Sequence, residues 1–400
     1  MFKYIDLFAG CGGLTEGFHA AGDYEGLAHV EWEIPMVKTL RYRLNTSYGY
    51  GVKQALKRVI HFDIQHTEEL LNGFIKFNGK SIYSNNHETF ISHGLNGVIN
   101  SEIDLVIGGP PCQAYSIAGR AQDKNSMKDD YRNYLFESFA SVVNEFKPKL
   151  FVFENVPGIL SATPGDIPVL KRIYDAFDEI NYEIRSPNKQ KESLFNSNDF
   201  NVAQNRKRVI IIGVRKDLKL SLEDIYKSIE DEKDESKPVL MDVIRHLPKI
   251  YPNGDNNSSH SQKEGLIVPF HNPRKHNPRD ISIFKEWTSK NMNSLSTADK
   301  LEYYFQKTGK KSNHNKYRSL EWGKPGPTIV SHLKKDGLLF IHPDSDQART
   351  ITVKEAALIQ SFPDDFEFIG NQGDQYKMIG NAVPPNMANA IARALKKYLQ

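Results

Sequence analysis

Tyr4-Ile5-Asp6-Leu7-Phe8-Ala9-Gly10-Cys11-Gly12-Gly13-Leu14 opens the chain with an apolar run that drops into a glycine loop. The run reads as a buried strand, and a helical pattern resumes at Glu16 to Ala21, so the loop stands at a helix N-terminus. Glycines there let the backbone approach a ligand and leave amides free to hold an anionic group. The next strand candidate, Gly26 to Glu31, ends on a carboxylate, from which an acidic side chain can grip ribose hydroxyls. Position 15 is Thr, so the full GxGxxG of dinucleotide binders is not met. On these residues alone the loop suits NAD or S-adenosylmethionine, and a tight structural turn is the alternative.

Further strand candidates follow at Asp104 to Ile107, Leu150 to Phe153 and Val209 to Val214, with a helical pattern at Tyr134 to Glu145. Strands alternating with helices predict an α/β, doubly wound, mostly parallel sheet. Ligands bind such sheets on the loops beyond the strand ends. After about Arg215 the composition shifts. Residues 231–237 form a solvated charge run, and the text to about 345 is irregular and rich in Asn, His, Lys and Pro. This predicts a second, smaller lobe built for recognition; a poorly ordered insertion is the alternative. Helical patterns resume at Thr352 to Gln360 and Pro385 to Leu399. The expected division is 1–215 plus 374–400 for a catalytic and cofactor-binding domain, and 216–373 for a small domain, variable over about 216–346.

A chain of 400 residues can bury such a core without staples. Its net charge of +3 is too small to argue for nucleic acid by itself, so locally basic patches would have to do so. The two cysteines, Cys11 and Cys112, are far apart and form no CxxC pair, so no thiolate metal site is expected and a reducing cytoplasm suits the count. No apolar run has the length of a membrane helix, and the N-terminus lacks a signal-peptide pattern.

Three motifs carry chemistry. Gly108-Gly109-Pro110-Pro111-Cys112-Gln113 follows an apolar run, and two prolines fix the backbone before the thiol. A cysteine on such a loop can serve as a thiolate nucleophile if its surroundings are electropositive; a buried inert cysteine is the bland alternative. Phe153-Glu154-Asn155-Val156-Pro157-Gly158 puts a carboxyl at a strand end, where it can serve a substrate ring nitrogen or cap the following helix. Gln204-Asn205-Arg206-Lys207-Arg208-Val209 leads into another strand. Alternation would turn Arg206 and Arg208 to one face, where two guanidiniums suit phosphate or a carbonyl oxygen, a solvated surface run being the alternative.

Taken in this order, with Gly380-Asn381-Ala382-Val383-Pro384-Pro385 near the end, these segments resemble the cytosine-C5 DNA methyltransferase family. The resemblance runs from residue 1 to about 215 and from about 347 to the end, and an ordered set of motifs is far more specific than any one of them. It is closest to the compact bacterial modification enzymes. It implies a Rossmann-like methyltransferase fold, S-adenosyl-L-methionine as cofactor, and double-stranded DNA as partner. A separately encoded restriction endonuclease, a monomeric state and a bacterial cytoplasmic location go with it.

Carried over residue by residue, the resemblance assigns the cofactor to Phe8, Gly10, Cys11, Gly12, Gly13, Leu14, Glu31, Trp32, Asp63, Ile64, Pro110, Leu135, Asn381, Ala382 and Val383. Glu31 would hold the ribose, Trp32 stack near adenine, and Asp63 meet its amino group. Cys11 is in that loop as a bystander. Cys112 would attack carbon 6 of cytosine and make carbon 5 enamine-like. Glu154 would bond N3 and the exocyclic amine, while Arg208, with Arg206, would stabilise charge at O2. The target base would be flipped from the duplex, at a cost of about a few kcal/mol, with the loop Ser116 to Asn133 covering the site. Gln113, Ser116 and Arg120, with Thr328, Arg274 and Lys275 in the recognition lobe, are the expected DNA contacts; Arg279 and Lys334 are further candidates.

The runner-up is a tRNA-directed cytosine-C5 methyltransferase on the same scaffold. That branch carries a Cys-Phe-Thr signature in the recognition region, and here no cysteine follows residue 112. Amino-group methyltransferases need no thiol, which Pro110-Pro111-Cys112 speaks against. A catalytically dead binding protein would not need Cys112, Glu154 and Arg208 together.

Overall fold

The computed structural model describes residues 1–77, 81–110, 135–163, 167–253, 259–262 and 267–400. Among these, one large sheet is built from β1 (Phe2–Leu7), β2 (Tyr24–Glu31), β3 (Val59–His61), β4 (Leu105–Gly108), β5 (Leu150–Asn155), β6 (Tyr182–Glu183), β7 (Leu194–Asn196) and, after the two-residue β8 (Gln204–Asn205), β9 (Lys207–Arg215). Its order is β3-β2-β1-β4-β5-β9-β6, with β7 also on β9. The run from β3 to β5 is parallel; β9 enters antiparallel to β5, β6 and β7.

The central strands are apolar at nearly every position because both faces are covered. Along β5, Phe151 and Phe153 face one core with the helices Glu88–Val98, Leu135–Phe146 and Val169–Glu179. Leu150 and Val152 face the other, shared with Gly13–Ala21, Leu222–Asp231 and Pro385–Leu399. The same alternation holds on β9, where Val209 and Ile211 oppose Ile210 and Ile212. Gly17 lets Gly13–Ala21 lie on the last helix: a Cβ there would stand 2.4 Å from that of Ala388.

Two differences from the sequence reading concern the small lobe. The helix Leu222–Asp231, placed at its start, packs on the sheet instead, through Leu222, Ile225, Tyr226 and Ile229. Their i, i+3, i+4, i+7 spacing gives the apolar stripe such packing needs. Conversely, Gln372–Asn381 adds Tyr376, Met378 and Ile379 to a core with Leu240, Ile329, Ile351 and Phe362. The irregular text also holds regular elements. Pro278–Ser289 and Thr297–Thr308 begin at Asn277 and Ser296, whose side chains accept the amides of Asp280 and Asp299. These helices close over Phe284, Trp287, Tyr303 and Tyr317.

Candidate active site

Register brings the motif loops together. Leu7 of β1 pairs with Gly108 of β4, and Gly108 pairs with Phe153 of β5. On the other side Leu7 pairs with Val30 of β2, and Glu31 with His61 of β3. The strands are parallel, so Phe8, Gly109, Glu154, Trp32 and Phe62 all lie just past or at one edge, where α/β sheets take their ligands.

The first loop is shaped by backbone conformations that favour glycine. Gly10 and Gly12 have φ of 58° and 99°, and Phe8 shares the left-handed region at 59°. Gly13 lies so close to the Gly380–Pro385 loop that a Cβ would stand 2.3 Å from the Val383 carbonyl oxygen. At Gly10, by contrast, a Cβ would meet nothing within 4 Å, so this turn borders open space. Behind the loop Thr15 donates to buried Asp6 at 2.6 Å and lies 3.0 Å from His29 Nδ1. This trio ties the helix to β1 and β2, and the sequence reading did not single it out.

Glu31 anchors the cleft. Its carboxylate accepts the amides of Gly10 (2.8 Å), Trp32 (2.9 Å) and Glu33 (2.8 Å). Burial lifts its pKa to about 7, outweighing the three amides, with Glu33 adding to the rise. Trp32 beside it is 55% exposed, an unusual position for an indole unless a ligand or partner covers it. Asp63 is half-buried past β3, its carboxylate accepting from the Gln65 amide and side chain. Ile64, Leu14 and Leu135 are buried, Phe8 is half-buried, and Asn381 is exposed while Ala382 and Val383 are buried. Lys377, one turn before Asn381, binds Glu33 at 2.5 Å, linking the two sides of the cleft. The Cys11 side chain turns away into the core with Met36, and burial pushes its thiol well up, so it is unreactive.

The second half of the site is an ion pair. Arg208 Nε meets Glu154 Oε1 at 2.6 Å, both side chains about nine-tenths buried, and Arg208 also donates to the Lys207 carbonyl. Gly109 is what lets Glu154 stand there: a Cβ would lie 2.6 Å from Oε2. Asn155, also not singled out from sequence, donates to the Pro110 carbonyl at 3.3 Å and fastens that loop to β5. Glu154 is therefore an oriented carboxylate, not a helix cap. Cys112, Gln113, Ser116 and Arg120 lie outside the described residues.

Three expected contacts are placed differently. Arg206 does not share a face with Arg208, because the strand is interrupted at that residue, between β8 and β9, and alternation does not carry across. It is buried, and donates to the carbonyls of Ile329 (2.7 Å) and Gly380 (3.0 Å). Gln204 accepts the Ile329 amide and donates to Gln360, which donates to the Ala382 carbonyl. Arg206 thus braces the sheet, the small lobe and the last loop. The Thr328 hydroxyl proton is engaged by the Asn205 carbonyl at 2.7 Å. Arg274 donates to the carbonyls of Leu333 and Lys334 and lies 4.2 Å over the Tyr376 ring, so its guanidinium is turned inward. Lys275, Arg279 and Lys334 are exposed.

A mostly parallel sheet with a glycine loop, an acidic residue ending the second strand and an oriented carboxylate beside it is a Rossmann-like α/β enzyme arrangement. The family model described as C-5 cytosine-specific DNA methylase matches residues 2–74 and 74–397. The chain is 34% identical to the Type II methyltransferase M.Bpa9945I of Bacillus paralicheniformis, covering 99% of this chain and 98% of that one. It is 30% identical to the Type II methyltransferase M.NgoPII of Neisseria gonorrhoeae, covering 100% and 96%. Among solved structures it resembles a putative DNA modification methyltransferase encoded within an E. coli prophage, with a TM-score of 0.62, 22% identity and 99% of both chains covered. The chain belongs to the C-5 cytosine-specific DNA methylase family. Among the described residues no helix is long and apolar enough to cross a membrane.

Proposed function

We propose that the chain methylates carbon 5 of a cytosine flipped out of a specific double-stranded DNA sequence, with S-adenosyl-L-methionine as donor. The observation that carries this is the Glu154–Arg208 pair seated against Gly109, at the strand edge shared with the glycine loop and Glu31. A carboxyl there can bond N3 and the exocyclic amine of a cytosine, and the neighbouring guanidinium can face O2.

The cleft fits the cofactor on its own features. Gly10 borders open space, Glu31 offers a buried carboxylate to ribose hydroxyls, and exposed Trp32 offers a face to a purine. Asp63 and Ile64 would bound the base, and Phe8, Gly12, Gly13, Leu14, Pro110, Leu135, Asn381, Ala382 and Val383 the rest. S-adenosylmethionine, when bound, supplies an electrophilic methyl group. Cys112 attacks C6 as a thiolate, Glu154 stabilises the electron density pushed onto N3, and the C4=C5 enamine so formed is nucleophilic at C5. After methylation, the C5 proton is lost, its bonding pair re-forms the C5=C6 double bond, and the C6–S pair leaves on sulfur as the thiolate. Base flipping gives access to C5 and C6.

The full-length relatives named Type II methyltransferases support a role in a restriction-modification system, in a bacterial cytoplasm, alongside a separately encoded endonuclease. They favour DNA over the tRNA alternative. Cys112→Ser tests the reading: methyl transfer should vanish while binding of cofactor and DNA survives. Full activity in that variant would refute covalent catalysis. Bisulfite sequencing of DNA from a host expressing the protein would identify the modified site.

A further inference from the structure

Three observations converge on the turn Ser331–Lys335. First, it stands beside the proposed catalytic edge. A Cβ on Gly380 would lie 2.5 Å from the Ser331 amide nitrogen, and Ile329, two residues before the turn, is held by Arg206 and Gln204. Second, the turn presents exposed His332, Lys334 and Lys335, and neither ammonium has an acidic partner among the described residues. Third, the turn is gripped from behind. Arg274 donates to the carbonyls of both Leu333 and Lys334, while its guanidinium rests on Tyr376, whose hydroxyl donates to the Ile351 carbonyl.

The segment that delivers Arg274 is itself pinned on both sides. His271 lies 3.0 Å from the Thr352 hydroxyl and 2.8 Å from the Pro248 carbonyl. The His276 amide donates to Ser259 at 2.9 Å, and its ring nitrogen meets the Thr350 hydroxyl at 3.3 Å. A guanidinium fixed this way lies stacked on Tyr376 with its Nε buried, and it fixes the carbonyls of two residues in the turn that carries the lysines.

We propose that Arg274 is a positioning residue for DNA binding: it holds the Ser331–Lys335 turn so that Lys334 and Lys335 meet phosphates of the duplex beside the target base. The inference rests on the DNA-methylating function proposed above. Two lysines on an unheld turn lose much of their contact to side-chain and backbone freedom; held from behind, they act as a fixed pair.

The test measures binding of the whole chain to a fluorescent mixed-sequence duplex of about 30 base pairs over a range of salt, beside methyl transfer to unmethylated genomic DNA. Each phosphate contact contributes about 0.9 to the slope of log affinity against log salt. Lys334→Gln/Lys335→Gln should lower that slope by about 2 and raise KM for DNA about tenfold, leaving kcat and cofactor affinity unchanged. Arg274→Met should do the same, and Arg274→Lys should recover part of the loss. Adding Arg274→Met to the double lysine variant should lower the slope no further. An additive effect would show Arg274 touching DNA itself, and an unchanged slope in Arg274→Met would show that the turn needs no clamp; either result overturns the proposal. If Arg274→Met fails to fold, the surface lysine pair still decides, since an unchanged slope there removes what the clamp would position. A wild-type chain that neither holds the duplex nor methylates DNA overturns the DNA reading as a whole.

Discussion

Adding one methyl group at Gly109 should disable the enzyme while leaving it folded. In Gly109→Ala the new Cβ would stand 2.6 Å from Glu154 Oε2, and ordinary contact starts at 3.4 Å, so the carboxylate must retreat by about 0.8 Å. It has no easy route, because Oε1 is held 2.6 Å from Arg208 Nε and the side chain is about nine-tenths buried. The backbone at 109 lies outside the left-handed region, so alanine brings no conformational strain of its own. A displacement of about 1 Å in a positioned catalytic group costs about a hundredfold in rate. Steric adjustment should cost about 1–3 kcal/mol in stability. The assay is single-turnover methyl transfer at saturating DNA and cofactor, with thermal unfolding and cofactor calorimetry as controls. The expected pattern is a rate about a hundredfold down with cofactor affinity intact. A Gly109→Ala enzyme that transfers methyl at the wild-type rate, where Glu154→Gln does not, would show that the position of this carboxylate does not limit the reaction.

Arg206→Met should leave the Ile329 and Gly380 carbonyls without their buried donor and cost about 3 kcal/mol. Denaturant unfolding measures this; a stable Arg206→Met protein with a collapsed rate would return Arg206 to a direct role in chemistry. With Glu31 at about 7, its carboxylate is mostly neutral at pH 6, so cofactor affinity by calorimetry should fall about tenfold from pH 8 to pH 6. Glu31→Gln should bind more weakly and lose that pH dependence; retaining the same slope would move it to another group. Burial holds His276 down to about 3, with His260, Arg274 and Arg349 adding to it, and His260, His271 and His342 are lowered as well. A histidine depressed in the folded state leaves stability intact above its unfolded pKa and removes it as pH falls toward the folded value. His276 alone should therefore cost about 1.4 kcal/mol at pH 5.5. Denaturant midpoints equal at pH 7.5 and 5.5 would contradict these burials.

Much of this was legible because the informative residues sit in short segments whose meaning is local. An apolar run ending in Gly10 to Gly13 marks a strand and a turn wherever it falls, and Glu31 could be tied to the same edge by its place at the next strand's end. The final helix, Pro385–Leu399, matched its expected bounds because Pro385 starts it and its apolar stripe is continuous. What failed was inference from residue type across a gap. Arg206 looked like a twin of Arg208 only if the strand ran unbroken, and its break is set by pairing of Gln204–Asn205 with Gly326–Pro327, over a hundred residues away. Arg274 looked like a surface cation because nothing in its neighbourhood announces Leu333, Lys334 or Tyr376. Asn155 was hidden in plain view beside Glu154, since an amide that holds a loop leaves no spacing signature.

The knot of Gln204, Arg206 and Gln360 has an evolutionary corollary. It joins the two halves of the molecule mainly through backbone carbonyls and amides at Ile329, Gly380 and Ala382. Such bonds are indifferent to which side chains decorate the lobe beyond. Sequence between the knot's ends can therefore drift or lengthen while the backbone at Ile329, Gly380 and Ala382 stays in place. On the function proposed above, a change of target sequence would need only that surface rewritten, with Glu31, Glu154 and Arg208 left where they are.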